Sequence, residues 1–267
     1  MGAQLGGSQG VTPEGRWFEA IAEHAGSAYL RYSFTKGTEQ EVAFLTGVLA
    51  LTAGQTVLDV GCGPGRHALA LSGRGVGVVG VDISERFLRI GAAGDIGAAG
   101  DIGAAGDIGA AGAGARFVRA DARVLPFANA SFDAAISLCQ GGFGLVGADD
   151  GQVLAEMVRC VRPGGVIALS AFSSYFAVRH LEPGETFDAD AGVNHERTSV
   201  RSETGEGAPF DLWTSCFTPR ELRLLARSYG LTVRALWSVS PGDYACRPPD
   251  LDHPEWLLVA DRTPSGG

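Results

Sequence analysis

The stretch from residue 57 to residue 67 carries the residue types that best suit ligand binding. Its sequence is VLDVGCGPGRH, an apolar run that contains Asp59 and leads into three glycines spaced two apart, Gly61, Gly63 and Gly65. Glycine lets a ligand lie against bare backbone, and a helix that starts after such a turn presents free N–H groups to a negatively charged group. The pattern predicts a strand, a glycine-rich turn and a helix around a ligand site.

A carboxylate follows at the distance expected for a ribose-binding acid. Asp82 ends the apolar run GVVGVD and lies 21 residues after Gly61, where about 20 are expected in a nucleotide-binding unit. One carboxylate accepts hydrogen bonds from both ribose hydroxyls. The dinucleotide fingerprint G-x-G-x-x-G needs a glycine at position 66, where this chain has Arg66. The sequence therefore disfavours NAD as the ligand.

The order of Asp59 and the three glycines resembles the first motif of class I S-adenosylmethionine-dependent methyltransferases. The resemblance implies that S-adenosylmethionine is the cofactor, that Asp82 binds its ribose hydroxyls and that Asp121 accepts from its adenine amino group. Ser131–Ile136 and Arg162–Gly165 resemble later landmarks of the family in the same order, so the likeness covers residues 55–172. It points to small-molecule enzymes of the actinobacterial type. The cofactor-binding residues that it implies are Asp59, Gly61, Cys62, Gly63, Gly65, Asp82, Ile83, Asp121, Ala122 and Cys139.

The hexapeptide GAAGDI occurs three times over residues 91–108 and explains one unusual spacing. Asp121 lies 39 residues after Asp82, and 21 remain once the 18 repeat residues are subtracted. As a helix, the repeat would point its isoleucines in three directions, and its frequent glycines would each cost about 1 kcal/mol. We therefore expect a solvated, poorly ordered low-complexity insertion in or after the second crossover helix.

Short apolar runs alternate with helical patterns along the chain. This alternation predicts an α/β fold with a doubly wound, Rossmann-like and mostly parallel sheet. The resemblance implies seven strands, of which the last, near residues 255–261, is antiparallel. Thr38 and Glu41 have capping-box spacing at the start of one helix, and Thr218 and Glu221 have it at the start of another.

Residues 173–217 do not continue the alternation. Two strand-like runs, 193–200 and 209–217, flank a stretch rich in Gly and Glu, which predicts a β-hairpin cap over a substrate pocket. We expect residues 1–37 to form an N-terminal segment or lid and residues 38–267 to form the methyltransferase domain. One lysine occurs among 21 basic residues, and its survival suggests a selected role. The candidate substrate-contacting residues are Gln140, Phe143, Tyr175, His180 and Lys36.

The amino-acid composition of the chain limits which classes of partner and which cellular compartment we expect. Thirty acidic against 21 basic residues give a net charge of −9, which disfavours nucleic acid as a partner. No apolar run approaches the length of a transmembrane helix. Five cysteines, an odd number without metal-ligand spacing, favour a reducing cytoplasmic compartment and no metal. The oligomeric state is left open.

The expected function is transfer of a methyl group from S-adenosylmethionine to a small-molecule acceptor by in-line displacement, mainly through positioning. No catalytic residue is assigned. A general base is needed only for an acceptor that is protonated at working pH, and His180 and His195 are its candidates. Two alternatives remain: a non-catalytic S-adenosylmethionine-binding sensor or interaction protein, and an NAD-binding oxidoreductase.

Overall fold

The computed structural model describes residues 17–93, 114–139 and 141–264. Within them, the chain forms ten strands and seven α-helices, together with short 3-10 turns. The strands are β1 (Thr56–Val60), β2 (Gly77–Asp82), β3 (Arg116–Arg119), β4 (Phe132–Ser137), β5 (Val161–Ser173), β6 (Thr186–Asp188), β7 (Val193–Arg201), β8 (Gly207–Phe217), β9 (Leu231–Val239) and β10 (Glu255–Arg262). The α-helices are α1 (Trp17–Ala25), α2 (Thr38–Val48), α3 (Arg66–Ser72), α4 (Glu85–Ala93), α5 (Asp150–Cys160), α6 (Ser174–Arg179) and α7 (Pro219–Ser228).

Seven of the strands form a central sheet in the order β3-β2-β1-β4-β5-β10-β9. Neighbours from β3 to β5 are parallel, and β10 is antiparallel to both of its neighbours. The expected doubly wound sheet with an antiparallel last strand is confirmed. In such a sheet a ligand binds beyond the carboxyl ends of the parallel strands.

Helices cover both faces of the central sheet. On one face, α5 and α7 pack Met157 and Leu222 into a core with Leu58 of β1. On the other, α2 and α3 pack Leu45 and Leu71 into a second core. Because both faces are buried, the central strands are almost continuously apolar, which is why their sequence shows runs and not alternation.

The cap over the sheet is larger than the predicted hairpin. Strands β7 and β8 pair antiparallel as expected, but β6 pairs with the free side of β7, and α6 precedes it. The last two residues of β8 pair in parallel with the end of β5, so the cap extends the central sheet to ten strands. Three-residue β6 was missed because so short a strand carries no periodic signal.

One of the two predicted capping boxes forms. At the start of α7 the Thr218 hydroxyl accepts from the Glu221 N–H, and the Glu221 carboxylate accepts from the Thr218 N–H. At the start of α2 the prediction was wrong. The hydroxyl of Thr38 donates to a carbonyl in the preceding turn, and Glu41 faces a buried arginine, because an ion pair is stronger than a neutral cap.

The N-terminal helix lies against the cap and the sheet. Ile21 and Ala25 of α1 pack on Val200 of β7, and His24 Nε2 lies 3.1 Å from the Val200 carbonyl oxygen. Helix α4 includes the first three residues of the GAAGDI repeat, and its Gly91 and Ala92 are buried, contrary to the expectation that the repeat is solvated from its first residue. Repeat residues 94–108 lie outside the described part of the chain.

Among the described residues, no helix combines the length and the apolar character needed to cross a membrane.

Candidate functional site

A cavity of about 480 Å³ opens at the carboxyl edge of the central sheet. Gly61 and Gly63 after β1, Asp82 at the end of β2 and Cys139 after β4 line its floor. A smaller cavity of about 60 Å³ adjoins it and is lined by Ile83, Asp121 and Ala122. The two cavities share Trp17, Phe18, Gly61, Asp82, Gly141 and Leu145. They therefore form one continuous site along the strand ends.

Gly61 is required by its surroundings as well as by its backbone conformation. Its φ is +71°, a left-handed value that side chains disfavour. A Cβ atom there would lie 1.9 Å from the backbone of Gly141. The loops after β1 and β4 therefore approach each other so closely that only glycine fits between them. Close packing of the two loops is thus a second reason for glycine at position 61, besides the approach of a ligand that the sequence predicts.

Asp82 closes the floor of the site and holds the glycine turn. One carboxylate oxygen accepts from the N–H of Gly63 at 2.8 Å, and the other accepts from the N–H of Ser84 at 2.8 Å. Burial raises the pKa of Asp82 to about 6, while these two hydrogen bonds act in the opposite direction. The carboxylate is positioned by backbone donors and faces the cavity.

Asp121 lies in the smaller cavity, where a neighbouring arginine orients it. The guanidinium of Arg123 donates to both carboxylate oxygens of Asp121 at 3.0 and 2.7 Å. Arg123 also donates to Asp149 at 2.8 Å. This paired geometry fixes the plane of the Asp121 carboxylate at the end of β3.

Three of the residues that the resemblance implied lie behind the cavity wall. Asp59 is buried in β1, its Oδ2 has no hydrogen-bond partner among the described residues, and burial raises its pKa to about 7. The Cys62 thiol is buried, which raises its pKa well above the usual range. Gly65 precedes α3 with φ of +76° and leaves no room for a Cβ beside Phe117. None of the three lines either cavity.

A buried polar network supports the floor from below. Arg66 donates to Glu41 at 2.6 Å and to the Sγ of Cys139 at 2.8 Å, and His67 Nε2 lies 2.7 Å from Glu41. Burial alone would raise the pKa of Glu41, but hydrogen bonding by His67 and the charge of Arg66 outweigh it and lower the pKa to about 2. Burial lowers the pKa of His67, while its hydrogen bond to Glu41 acts in the opposite direction.

The same network contains a group of possible metal ligands that the sequence spacing did not indicate. One ligand atom each from Glu41, His67 and Cys139 lies within 4.8 Å of the others. Arg66 already donates to Glu41 and to Cys139. A guanidinium among the three groups supplies the positive charge there, so we interpret the group as a structural network.

Aromatic side chains from the N-terminal segment form the roof. Trp17 lines both cavities, donates from Nε1 to the Leu145 carbonyl at 3.2 Å and contacts Trp213 of the cap edge-on. The other aromatic residues that line the larger cavity on this side are Phe18, Tyr29, Tyr32, Phe34 and, from α4, Phe87. Sequence reasoning assigned the segment to a lid and noted Tyr32 and Phe34 in it, but it included none of these aromatics among the site residues. The clustering of aromatic residues between positions 17 and 34 was the signal that could have found them.

Four of the five predicted substrate-contacting residues line neither cavity. Phe143 is fully buried in the core and stacks on Phe217. Tyr175, His180 and Lys36 are exposed, and none of them lines either cavity. Gln140 lies outside the described residues.

The second base candidate, His195 of the cap, stacks on Trp213. Its Nε2 lies 3.0 Å from a carboxylate oxygen of Asp211, and it does not line either cavity.

The polar groups of the cavity wall come from the cap and the last strand. Glu196, Thr198, Ser199 and Thr214 of the cap line the cavity, and so does Glu255, the first residue of β10. Sequence reasoning missed all five. Their positions along the chain, far from the glycine turn, gave no motif to detect.

A family model described as a methyltransferase domain matches residues 57–165. An uncharacterized methyltransferase of Mycobacterium sp. (strain JLS) is 38% identical over 117 residues, which cover 44% of this chain and 38% of that protein. A demethylmenaquinone methyltransferase of Clavibacter sepedonicus is 34% identical over 162 residues, which cover 58% of each. The matches thus span about two fifths to three fifths of the relatives.

The solved structures agree in fold. An S-adenosylmethionine-dependent methyltransferase from Clostridium acetobutylicum ATCC 824 superposes with a TM-score of 0.64 at 13% identity, covering 92% of this chain and 98% of that one. At this identity the likeness establishes the fold alone. The matched residues 57–165 contain the glycine turn, Asp82 and Asp121 that line the joined cavities.

Proposed function

We propose that this chain, which carries a class I S-adenosylmethionine-dependent methyltransferase domain, transfers a methyl group from S-adenosylmethionine to a small-molecule acceptor. One observation carries the proposal: Asp82 and Asp121 line two joined cavities next to the glycine turn, at the edge where doubly wound sheets bind ligands. The methyltransferase match over residues 57–165 and the named methyltransferase relatives support it.

The residues present fit such a cofactor. The smaller cavity would hold the adenine ring, with Asp121 as acceptor and Ile83 and Ala122 as apolar walls. Asp82, already oriented by two backbone donors, would accept from the ribose hydroxyls. The methionine part would lie along the larger cavity beside Gly61, Gly63 and Cys139.

The protein's contribution is to position the reactants and to exclude water. Bound S-adenosylmethionine supplies an electrophilic methyl group on a sulfonium. The aromatic roof of α1 and the cap strands enclose the larger cavity, so that a nucleophile held there meets the methyl group in a fixed orientation. Such positioning supplies several kcal/mol of a reaction barrier.

A small acceptor suits this enclosure. The demethylmenaquinone methyltransferase relative is named for a small-molecule acceptor, and the net charge of −9 also favours a small molecule over nucleic acid. The five cysteines, an odd number without metal-ligand spacing, favour a reducing compartment. We therefore expect a cytoplasmic protein.

Calorimetry with S-adenosylmethionine, S-adenosylhomocysteine and NAD tests the cofactor assignment. We expect the first two to bind and NAD not to bind, and NAD binding alone would indicate an oxidoreductase instead. An acceptor screen with labelled methyl donor then tests transfer. Tight cofactor binding without transfer to any acceptor would favour the sensor alternative.

A further inference from the structure

The charged side chains that line the larger cavity share one sign. Among the described lining residues they are Asp82, Glu196 and Glu255, and no lysine, arginine or histidine is present. Asp82 belongs to the proposed ribose site. Two carboxylates therefore remain for whatever else the cavity holds.

Glu255 lies at the end of the cavity opposite the proposed adenosine site. It is the first residue of β10, and because β10 is antiparallel, its start lies at the same edge as the end of β2. Four strand steps separate β2 from β10. At about 4.8 Å per step, Asp82 and Glu255 are separated by roughly 19 Å along the edge. The cavity thus continues well past the ribose site to Glu255.

The Glu255 carboxylate has an oxygen that no group of the described chain satisfies. The residue is 97% buried, since only 3% of its surface is exposed, and its Oε2 has no hydrogen-bond partner. Ser170 of β5 hydrogen-bonds to the carboxylate, and the charged or titratable groups around it are Cys139, Tyr244, Glu41 and Arg66. A buried acceptor atom without a partner is costly, and because Glu255 lines the cavity, a donor on a ligand held there would satisfy it.

A second acid and several aromatic rings also line the larger cavity. Glu196 of β7 is half-buried, and burial together with the nearby carboxylates of Glu185 and Glu182 raises its pKa. Tyr29, Tyr32, Phe34 and Phe172 line the same cavity. Carboxylates beside aromatic faces bind a cationic or hydrogen-donating nitrogen and disfavour an anionic ligand.

We propose that the methyl acceptor is an apolar or aromatic amine and that Glu255 binds its nitrogen and receives its proton. This inference rests on the proposed function and deepens it. The amine, bound to the Glu255 carboxylate, first gives up the proton that makes it an ammonium. Its nitrogen lone pair then attacks the sulfonium methyl carbon, a C–N bond forms, and the C–S bond breaks with its electron pair going to sulfur. The products are S-adenosylhomocysteine, whose sulfur is neutral, a methylated ammonium and a protonated Glu255.

The burial of Glu255 suits this role. Burial raises its pKa to about 7, Glu41 acts in the same direction, and Ser170 and Arg66 act against it. A base with a pKa near neutrality takes a proton efficiently at working pH. Glu196 of the cap would either supply a second carboxylate contact to the amine nitrogen or repel anionic ligands that compete with the amine.

The test uses the full chain loaded with S-adenosylhomocysteine. Calorimetry at pH 8 measures the binding of 2-phenylethylamine, 2-phenylethanol and 3-phenylpropionate, and of tryptamine with its matching alcohol and carboxylate. The variants are Glu255→Gln and, as a control of equal charge change on the exposed cap, Glu206→Gln. Transfer of labelled methyl from S-adenosylmethionine to the amines gives the second readout.

We expect each amine to bind at least about tenfold more tightly than its alcohol, and the carboxylates not to bind. Glu255→Gln should weaken amine binding and lower amine methylation at least about tenfold, while its affinity for S-adenosylhomocysteine stays within about threefold. Glu206→Gln should match the parent.

Three results would overturn the proposal. Equal affinity for amines and alcohols, or preferred binding of the carboxylates, would exclude an amine site. A loss of S-adenosylhomocysteine affinity in Glu255→Gln would place Glu255 at the cofactor. Failure of the parent to bind S-adenosylhomocysteine would instead overturn the proposed function, and the amine assignment with it.

Discussion

The carboxylate of Asp82, at the end of β2, accepts a 2.8 Å hydrogen bond from the backbone N–H of Gly63 in the turn after β1. Two neighbouring strand ends are therefore tied together by the residue that is also proposed to bind the ribose. The relationship means that ligand affinity and the shape of the glycine turn depend on one side chain.

Asp82→Ala should weaken binding of S-adenosylmethionine by roughly 1–3 kcal/mol, because charge-assisted bonds to two hydroxyls and the brace on the turn are lost together. The fold should persist, since the central core does not include this side chain. Calorimetry on the folded variant checks this, with the exposed Asp190→Ala as control. An unchanged dissociation constant would remove Asp82 from the cofactor site.

Glu41→Gln should lower the free energy of unfolding by about 3 kcal/mol, because it leaves the buried Arg66 without its counter-charge. The matched control is Asp252→Asn, which breaks an exposed ion pair with Arg179 and should cost about 1 kcal/mol or less. Urea denaturation of both variants gives the comparison. Equal losses would show that the Glu41–Arg66 pair contributes no more than a surface pair.

Trp17→Ala should weaken binding of S-adenosylhomocysteine about tenfold, because the ring covers both cavities. Trp17→Phe keeps a ring but loses the hydrogen bond to the Leu145 carbonyl, so we expect a smaller loss. Trp237→Phe, on β9 and away from the site, should bind like the parent. If Trp17→Ala binds normally in calorimetry, α1 does not cover the bound cofactor.

Asp59 should make stability depend on pH. Its folded pKa of about 7 exceeds the unfolded value of about 3.9, so the folded state binds more protons between these two pH values. The stability that Asp59 contributes is therefore complete below pH 4 and is lost as the pH rises to 7. In Asp59→Asn this loss is absent.

The difference in melting temperature between Asp59→Asn and the parent should therefore shift in favour of the variant from pH 5 to pH 8. We expect a shift of at least about 3 °C, which corresponds to about 1 kcal/mol for a protein of this size. Thermal unfolding at each pH measures it. The exposed Asp190→Asn should show no such trend. A constant difference between Asp59→Asn and the parent would mean that Asp59 is ionised throughout.

Deleting residues 94–108 should leave cofactor affinity within about threefold, since we interpret these residues as an insertion that the two neighbouring elements do not need. Residues 91–93 should be kept, because Gly91 and Ala92 are buried in α4 and a Cβ at Gly91 would already crowd Pro64. Calorimetry and thermal unfolding of the deletion variant test the interpretation. Loss of folding would show that the repeat is structural.

The sequence alone determined the parts of the site whose members are close along the chain. The glycine turn belongs to a single strand–turn–helix unit, and the spacing from Gly61 predicted Asp82 at the end of the next strand, at the same edge of the sheet. The resemblance to class I methyltransferases added Asp121 after the third strand. The antiparallel last strand was implied by the resemblance to class I methyltransferases, and the structure confirms it.

Only the tertiary structure decided which residues complete the cavity. Trp17, Glu196 and Glu255 are separated by most of the chain, and they meet because α1 packs on the cap and β10 inserts between β5 and β9. Likewise, Glu41 accepts a hydrogen bond from Arg66 instead of forming the predicted capping box. Such contacts depend on long-range packing and on burial, which set the partner and the pKa of a side chain but leave no periodic or spaced pattern in the sequence.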